Sequence, residues 1–329
     1  KLDYRTHGAG SKLRYTCTVL KEELLRKRNS QESKKPRTLT TDDDPLSTDA
    51  LATDHRRTVS RPPSPPPPPH RPPRKTAHPP RARRPPMFIV HGIDAWQPTG
   101  SRLANRWIRS VDYLVGVSEF TLKRVRKWTN IPPERCRLLP DCVDAGLFGA
   151  GPRSPALLDR YGLADKRVLM TLGRLSADER YKGLDEVMEI LPDLRQEDPT
   201  LTYLIVGDGT DRPRLEKKAK QLGLNGSVVF AGRIPEEEKA DHYRLADAFV
   251  MPGRGEGFGI VYLEAMASGI PVVASALDAS REAVLDGQLG EVVDPNQPED
   301  IKRGIRAALK RKRGVIPEGL EHFSFEQFE

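Results

Sequence analysis

The sequence predicts an α/β protein built on a doubly wound parallel sheet, and three observations carry that prediction. Short segments that are apolar throughout recur between residues 167 and 275, each is followed by a stretch with apolar residues at helical spacing, and the junctions are rich in glycine and charge. Strands without apolar/polar alternation are buried on both faces, and helical crossovers join parallel neighbours. In such sheets ligands bind beyond the carboxyl ends of the strands.

Taken in order, "MFIV" (87–90) reads as a strand, "RLANRWIRSV" (102–111) as a helix and "DYLVGVS" (112–118) as a strand. "EFTLKRVRKWTN" (119–130) follows as a helix that stops before the "IPP" breaker. From Lys166 the alternation is regular. Strands are expected at 167–173, 202–207, 227–232, 248–252 and 271–275, with helices at 183–196, 211–224, 235–246 and 260–269 between them. The loops that a ligand would meet follow Gly173, Val206, Gly232 and Pro252.

Residues 1–86 are different in kind. They hold 15 of the 30 prolines, including "PPSPPPPPHRPPRK", and beyond one helical stretch near "TVLKEELLRKR" they show no apolar periodicity. Such a segment buries too little apolar surface to offset its ordering entropy, so it is expected to be disordered, with an extended proline run. The run would suit an aromatic-lined groove and the arginines an acidic surface, although a solvated tail accounts for both.

The same segment carries 20 Lys and Arg against 9 Asp and Glu, or +11, whereas the whole chain is +8, so the other 243 residues hold about −3. A nucleic-acid-binding core is therefore not indicated. No run of 18 apolar residues and no secretory signal appears, and the chain does not begin with Met, so its true start is expected upstream. Cys17, Cys136 and Cys142 are too few for a disulfide framework and lack the spacing of a zinc site; a reducing cytoplasm is the expected compartment.

Chemistry concentrates in two loops. "GRLSADERYKG" sets Arg174 and Lys182 near one strand end, where two cations and helix N–H groups suit a diphosphate. "PGRGEGFGIVYLEAMASGIPVVAS" (252–275) places Gly253, Gly255, Gly257 and Gly259 at alternate positions before a helix. A dinucleotide fingerprint fails here, since its third glycine would fall on Phe258, Ile260 or Tyr262; in "VGDGTDRP" it would fall on Arg212. No P-loop motif occurs. Glycines before a helix let a ligand approach the backbone and its free N–H groups. Glu256 in that loop and Glu264 on the following helix are poor partners for phosphate but good acceptors for hydroxyls. Phosphate on amides and cations, with carboxylates on two sets of hydroxyls, describes a sugar nucleotide. The plainer alternative is that the glycines only allow tight packing and both glutamates are exposed.

"EGFGIVYLE", with seven residues between its glutamates, resembles the E-x7-E motif of the retaining, nucleotide-sugar-dependent glycosyltransferases of family 4, which have the two-domain GT-B fold. "VSEFTLKRV", "LLPDCVDAGLF", "LGRL" followed by "KGLD", "LIVGDG", "VVFAGRIP" and "GIPVVAS" match the same family in order. The resemblance runs from Met87 to the C-terminus. It implies that Arg174 and Lys182 hold the donor diphosphate, that Gly257, Phe258 and Gly259 line the sugar-phosphate site, and that Glu264 takes the ribose hydroxyls. Glu256 and His91, in "VHGIDAW", are the implied catalytic-side residues facing the donor sugar. The implied reaction is retaining hexosyl transfer without a metal, a cofactor or an assigned protein nucleophile.

The expected domains are 1–86, a Pro/Arg-rich segment; 87–151, a remnant of the acceptor-side Rossmann-like domain; and 152–329, the nucleotide-sugar-binding domain. Most of the N-terminal half is expected to be missing or replaced, leaving two strands with exposed edges. "PDCVD" stands where the family often has Asn-Gly, and "HFSFEQFE" reads as the start of the terminal helix. In "IKRGIRAALKRKRG" the face of Ile301, Ile305, Ala308 and Leu309 fits either core packing or a peripheral contact at the inner face of a membrane. The expected partners are a nucleotide-sugar donor and a saccharide or lipid-linked acceptor, in bacterial cell-envelope or polysaccharide synthesis. The rival readings are a non-catalytic nucleotide-sugar binder and, behind it, a nucleotide-sugar epimerase.

Overall fold

The computed structural model describes residues 86–328, so the expectation of disorder over the Pro/Arg-rich segment lies outside the described residues up to position 85. Two all-parallel sheets organise the rest. The smaller contains β1 (Met87–Val90), β2 (Tyr113–Gly116) and β3 (Cys136–Leu138) in that order. The larger contains β4 (Arg167–Leu172), β5 (Leu201–Val206), β6 (Val228–Gly232), β7 (Ala248–Val250), β8 (Val272–Ser275) and β9 (Glu291–Val293), in the order β6-β5-β4-β7-β8-β9. The chain thus builds outward from β4 to β6, returns to β7 on the other side of β4, and builds outward again. The crevice that this reversal opens lies at the carboxyl ends of β4 and β7. Of the four loops singled out by sequence, those after Gly173 and Pro252 flank it.

Helices connect the strands: α1 (Arg102–Arg109), α2 (Glu119–Thr129), α3 (Pro155–Tyr161), α4 (Leu184–Glu197), α5 (Arg212–Gln221), α6 (Lys239–Leu245), α7 (Ile260–Ala267), α8 (Ser280–Ala283) and α9 (Pro298–Lys310). Successive strand residues serve opposite layers because the side-chain period is two. Val168 and Met170 of β4 pack with Leu157, Tyr243, Tyr262, Leu263 and Ala283 on one face. Leu169 packs with Val187, Leu191, Leu215, Ile301 and Ile305 on the other. The strands are apolar throughout because both layers are helical.

Two expectations need correction, one strand was not expected, and the core-packing reading of one helix holds. The smaller sheet has three strands, not two, because Cys136–Leu138 pairs with Leu114–Gly116 although it carries no apolar run of its own. Glu291–Val293 is a further short strand, recruited by the open edge of β8. The apolar face of α9 is in the core, with Ile301, Ile305 and Ala308 fully covered, so this helix offers no apolar side to a membrane. "HFSFEQFE" forms two 3-10 turns, Leu320–Phe323 and Phe325–Phe328, rather than an α-helix. The first still returns toward the smaller sheet: Phe323 is buried, and its carbonyl accepts from Val143 N at 3.0 Å.

The helices that flank the crevice are riveted by charge. Arg214 makes a bidentate pair with Asp185 at 2.7 Å for each arm and also bonds Asp211 at 2.7 Å, while Lys218 adds 2.7 Å to Asp185. Burial alone would raise the Asp185 carboxyl, but Arg214 and Lys218 outweigh it and hold it below the usual range. The hydrogen bond from Arg214 does the same for Asp211. Carboxyls depressed in the folded state contribute stability that is present above their unfolded values and lost as pH falls through the folded ones. Urea midpoints of the wild type are therefore expected to fall between about pH 6 and about pH 3. Arg214→Met is expected to cost about 2 kcal/mol at neutral pH and to flatten that fall.

Candidate functional site

The first wall of the crevice is the segment after β4. A 3-10 turn, Ala177–Lys182, folds back so that Lys182 comes to rest against Gly173, where an added Cβ would lie 3.2 Å from Nζ. Lys182 is 8% exposed, and its Nζ bonds Glu179 Oε2 at 2.6 Å. Arg174 Nη2 donates to the other oxygen of the same carboxylate, while the rest of the Arg174 side chain is open to solvent. The two cations that sequence assigned to a diphosphate are thus brought together on one anion. Glu179 was not singled out by sequence; its only signal was its place three residues before Lys182.

The second wall is the glycine loop between β7 and α7. It touches the first directly: Arg254 N donates to the Tyr181 carbonyl at 2.8 Å, and an added Cβ on Gly253 would lie 3.0 Å from that oxygen. Arg254 anchors the outer side of the loop on Glu186, on the Pro295 carbonyl at 2.8 Å and on Asn296 at 3.0 Å. Beneath it, the fully buried Asp278 accepts from Glu256 N at 3.0 Å and from Ser280 Oγ at 2.6 Å. Burial pushes the Asp278 carboxyl up, and these donors oppose it. Phe258 turns its ring into the core, 5.5 Å from Phe323 in an edge-on contact. Gly259 then starts α7 with φ of 93°, a left-handed value that favours glycine.

The smaller sheet supplies the opposing wall. His91 follows β1, and its carbonyl would lie 2.1 Å from a Cβ on Gly257, so only glycine fits there. The Gly257 carbonyl accepts from Ser118 Oγ and Thr121 Oγ1, which cap and begin α2. Glu282, from α8, accepts from Glu119 N and Phe120 N at 2.8 Å each. The His91 backbone thus packs directly against the glycine loop. None of Ser118, Thr121, Asp278 and Glu282 was anticipated, because each acts through a partner more than 20 positions away.

Glu264 lies in the second turn of α7, and only 4% of it is exposed. One oxygen meets Lys239 Nζ at 2.6 Å and the other accepts from Tyr243 Oη at 2.8 Å. Burial raises the Glu264 carboxyl above its usual range, with Lys239 acting in the opposite direction. A carboxylate oxygen has two lone pairs, so each still has capacity to accept from a hydroxyl. The crevice thus offers two cations and a glycine-rich backbone that carries Glu256, while Glu264 is held beneath the start of α7 by Lys239 and Tyr243. Among the described residues no cluster of acidic, histidine or cysteine side chains could hold a metal ion.

The family model described as "Glycosyl transferases group 1" matches residues 159–320. The GDP-mannose-dependent alpha-(1-6)-phosphatidylinositol monomannoside mannosyltransferase of Mycolicibacterium smegmatis is 35% identical over 253 residues, covering 73% of this chain and 65% of that protein. The D-inositol 3-phosphate glycosyltransferase of Geodermatophilus obscurus is 36% identical over 208 residues, covering 59% of this chain and 45% of that protein. The chain therefore spans less than two thirds of either curated relative. A crystal structure of Anabaena Alr3699/HepE in complex with UDP and glucose superposes with a TM-score of 0.60 at 22% identity, covering 74% of this chain and 68% of that one.

Removing the cation from Glu264 tests the electrostatics of the second carboxylate. Lys239→Met leaves a buried charge unpaired, with an expected cost of about 3 kcal/mol at neutral pH. The Glu264 carboxyl, already raised in the folded state, then rises further, so the folded form binds a proton more tightly than the unfolded one. The stability deficit of the variant relative to the wild type is expected to shrink as pH falls through that raised value, a contribution opposite in sign to those of Asp185 and Asp211, and denaturant titration of both proteins across pH reads it.

Proposed function

We propose, on the premise that through residues 159–320 the chain belongs to the group 1 glycosyl transferases and has a GT-B-type α/β fold, that it moves a sugar from a nucleotide-sugar donor to an acceptor hydroxyl with retention. The observation that carries this reading is the convergence of Arg174, Lys182 and the glycine loop on the crevice between β4 and β7. Glu179 marks where an anion is held. A donor diphosphate would take its place, with Arg174 and Lys182 neutralising the charge that builds on the leaving group. The reading gives that task to these cations rather than to a metal. Backbone N–H groups of Gly257, Phe258 and Gly259 would face the sugar-phosphate, Glu256 and His91 the sugar, and Glu264 the ribose.

In the transfer, the bond from the anomeric carbon to the diphosphate oxygen breaks and the bond to the acceptor oxygen forms on the same face. The acceptor's proton passes to the leaving diphosphate, so no protein nucleophile is required. GDP-mannose and UDP-glucose are the donors to test, because relatives and structural neighbours use or bind these chemistries. Calorimetry is expected to show binding of one of them, weakened at least about tenfold by Lys182→Ala and by Arg174→Ala. Unchanged affinity in both variants would remove the diphosphate from this crevice. A non-catalytic nucleotide-sugar binder is the second reading; binding without any transfer to a lipid or saccharide acceptor would establish it.

We assign the acceptor to a glycolipid at an anionic surface, on the character of the smaller unit. Residues 87–138 carry nine Lys and Arg against four Asp and Glu. On α1, Leu103 is 78% and Trp107 53% exposed, beside Arg102 and Arg106. No helix among the described residues is long and apolar enough to cross a membrane, so the contact would be peripheral. Sedimentation with phosphatidylglycerol vesicles is expected to retain the wild type and to lose the Leu103→Ser/Trp107→Ser variant by several-fold. Equal retention of both would clear α1 of this role.

A further inference from the structure

The hydrogen bonds between the smaller unit and the glycine loop run in one direction. Ser118 and Thr121 are fully buried, and the Gly257 carbonyl accepts from Ser118 Oγ at 2.6 Å and from Thr121 Oγ1 at 3.1 Å. A carbonyl only accepts, so each hydroxyl directs its single proton there. Each hydroxyl also accepts one bond: Ser118 Oγ from Thr121 N at 3.0 Å, and Thr121 Oγ1 from the Trp96 indole at 3.3 Å. No rotation of either hydroxyl keeps all of these contacts.

We infer that Ser118, Thr121 and Glu282 are positioning residues for the sugar-phosphate end of the donor, acting through the Gly257–Phe258 peptide. The inference rests on the donor site proposed above. A trans peptide is planar, with its C=O and N–H pointing in opposite directions. Clamping the Gly257 carbonyl onto α2 therefore aims the Phe258 N–H away from α2. Two hydrogen bonds accepted by the carbonyl also polarise the peptide and strengthen its N–H as a donor.

The peptide is held at its other points as well. The Phe258 ring is locked against Phe323, and Gly257 lies against the His91 carbonyl. Glu282 holds the helix that carries the clamp: its carboxylate takes the first two amides of α2, where negative charge also meets the positive end of the helix dipole. The clamp thus crosses from one sheet to the other and ends on a backbone group of the donor loop. Ser118 and Thr121 act on that loop directly and Glu282 acts on it through α2.

The test compares ligands that do and do not reach the loop. Calorimetry on the full chain would measure GDP-mannose and UDP-glucose against GMP and UMP, which lack the β-phosphate and the sugar. Thr121→Val keeps the side-chain shape and removes the hydroxyl. It is expected to weaken nucleotide-sugar binding about 5–10-fold while leaving the monophosphate unchanged, and Thr121→Ser to restore the affinity to within about twofold. Glu282→Gln, which leaves one α2 amide without its carboxylate oxygen, is expected to shift the same ratio in the same direction.

An equal loss for both ligand classes, or no loss, overturns the positioning role. If Thr121→Val does not fold, the ratio in Glu282→Gln decides on the same terms. A wild type that binds the monophosphates but neither nucleotide sugar overturns the clamp's purpose, whereas one that binds nothing overturns the donor-site reading itself.

Discussion

The reversal of strand order between β4 and β7 is the constraint on which the site depends. Parallel strands joined by right-handed crossovers keep their connections on one face while the winding runs one way, and only where it reverses do two adjacent loops leave toward opposite faces and part. Here the parted loops are the Arg174–Lys182 segment and the glycine loop. Their sequence separation is about 75 residues, yet Tyr181 and Arg254 share a backbone hydrogen bond. The smaller sheet then closes the third side by laying His91 and the start of α2 against Gly257.

Buried charge is held in two ways, Asp278 by a backbone amide and a hydroxyl and the buried lysines by carboxylates. Lys182 with Glu179 and Lys239 with Glu264 each set a carboxylate and an ammonium 2.6 Å apart with little solvent access. Such pairs are weak contributors to stability, since desolvation offsets most of the attraction, but separating the partners is costly. Their placement makes sense if the site must hold anions and hydroxyls: a cation already desolvated beside an exchangeable carboxylate needs little rearrangement to accept a phosphate. Stability is supplied elsewhere, by the two apolar layers on the larger sheet and by the Arg214 network beside it.

Much of the larger sheet was legible because local and global preferences agree. Segments such as "RVLMTL" and "TYLIV" read as strands on any window, and β4 and β5 are where those residues lie. Helix α4 continues through Pro192 because Val187, Leu191 and Leu194 are buried against the sheet, outweighing a local cost of about 3 kcal/mol. The three-residue strands β3 and β9 were not legible. "CRL" and "EVV" become strands only because a neighbour offers unpaired backbone groups, and that neighbour lies about 20 residues away in each case. The amphipathic pattern of α9 could not choose between a core and a membrane, since both present the same apolar face; packing against β7, β8 and β9 decided it.

The sequence by itself determined the chemistry on offer: alternate glycines before a helix, two carboxylates eight positions apart, and an Arg and a Lys after an earlier strand. Those choices are local, since glycine is required by backbone geometry and residue type sets charge and hydrogen-bonding capacity. Only the tertiary structure decided which groups meet. It placed Glu179 between Arg174 and Lys182, gave Glu264 its own cation, and set Gly257 where the His91 backbone leaves no room for a Cβ. The physical reason is that hydrogen bonds and ion pairs act over about 3 Å in space, irrespective of the distance along the chain, so their partners become fixed only when the sheets and helices pack.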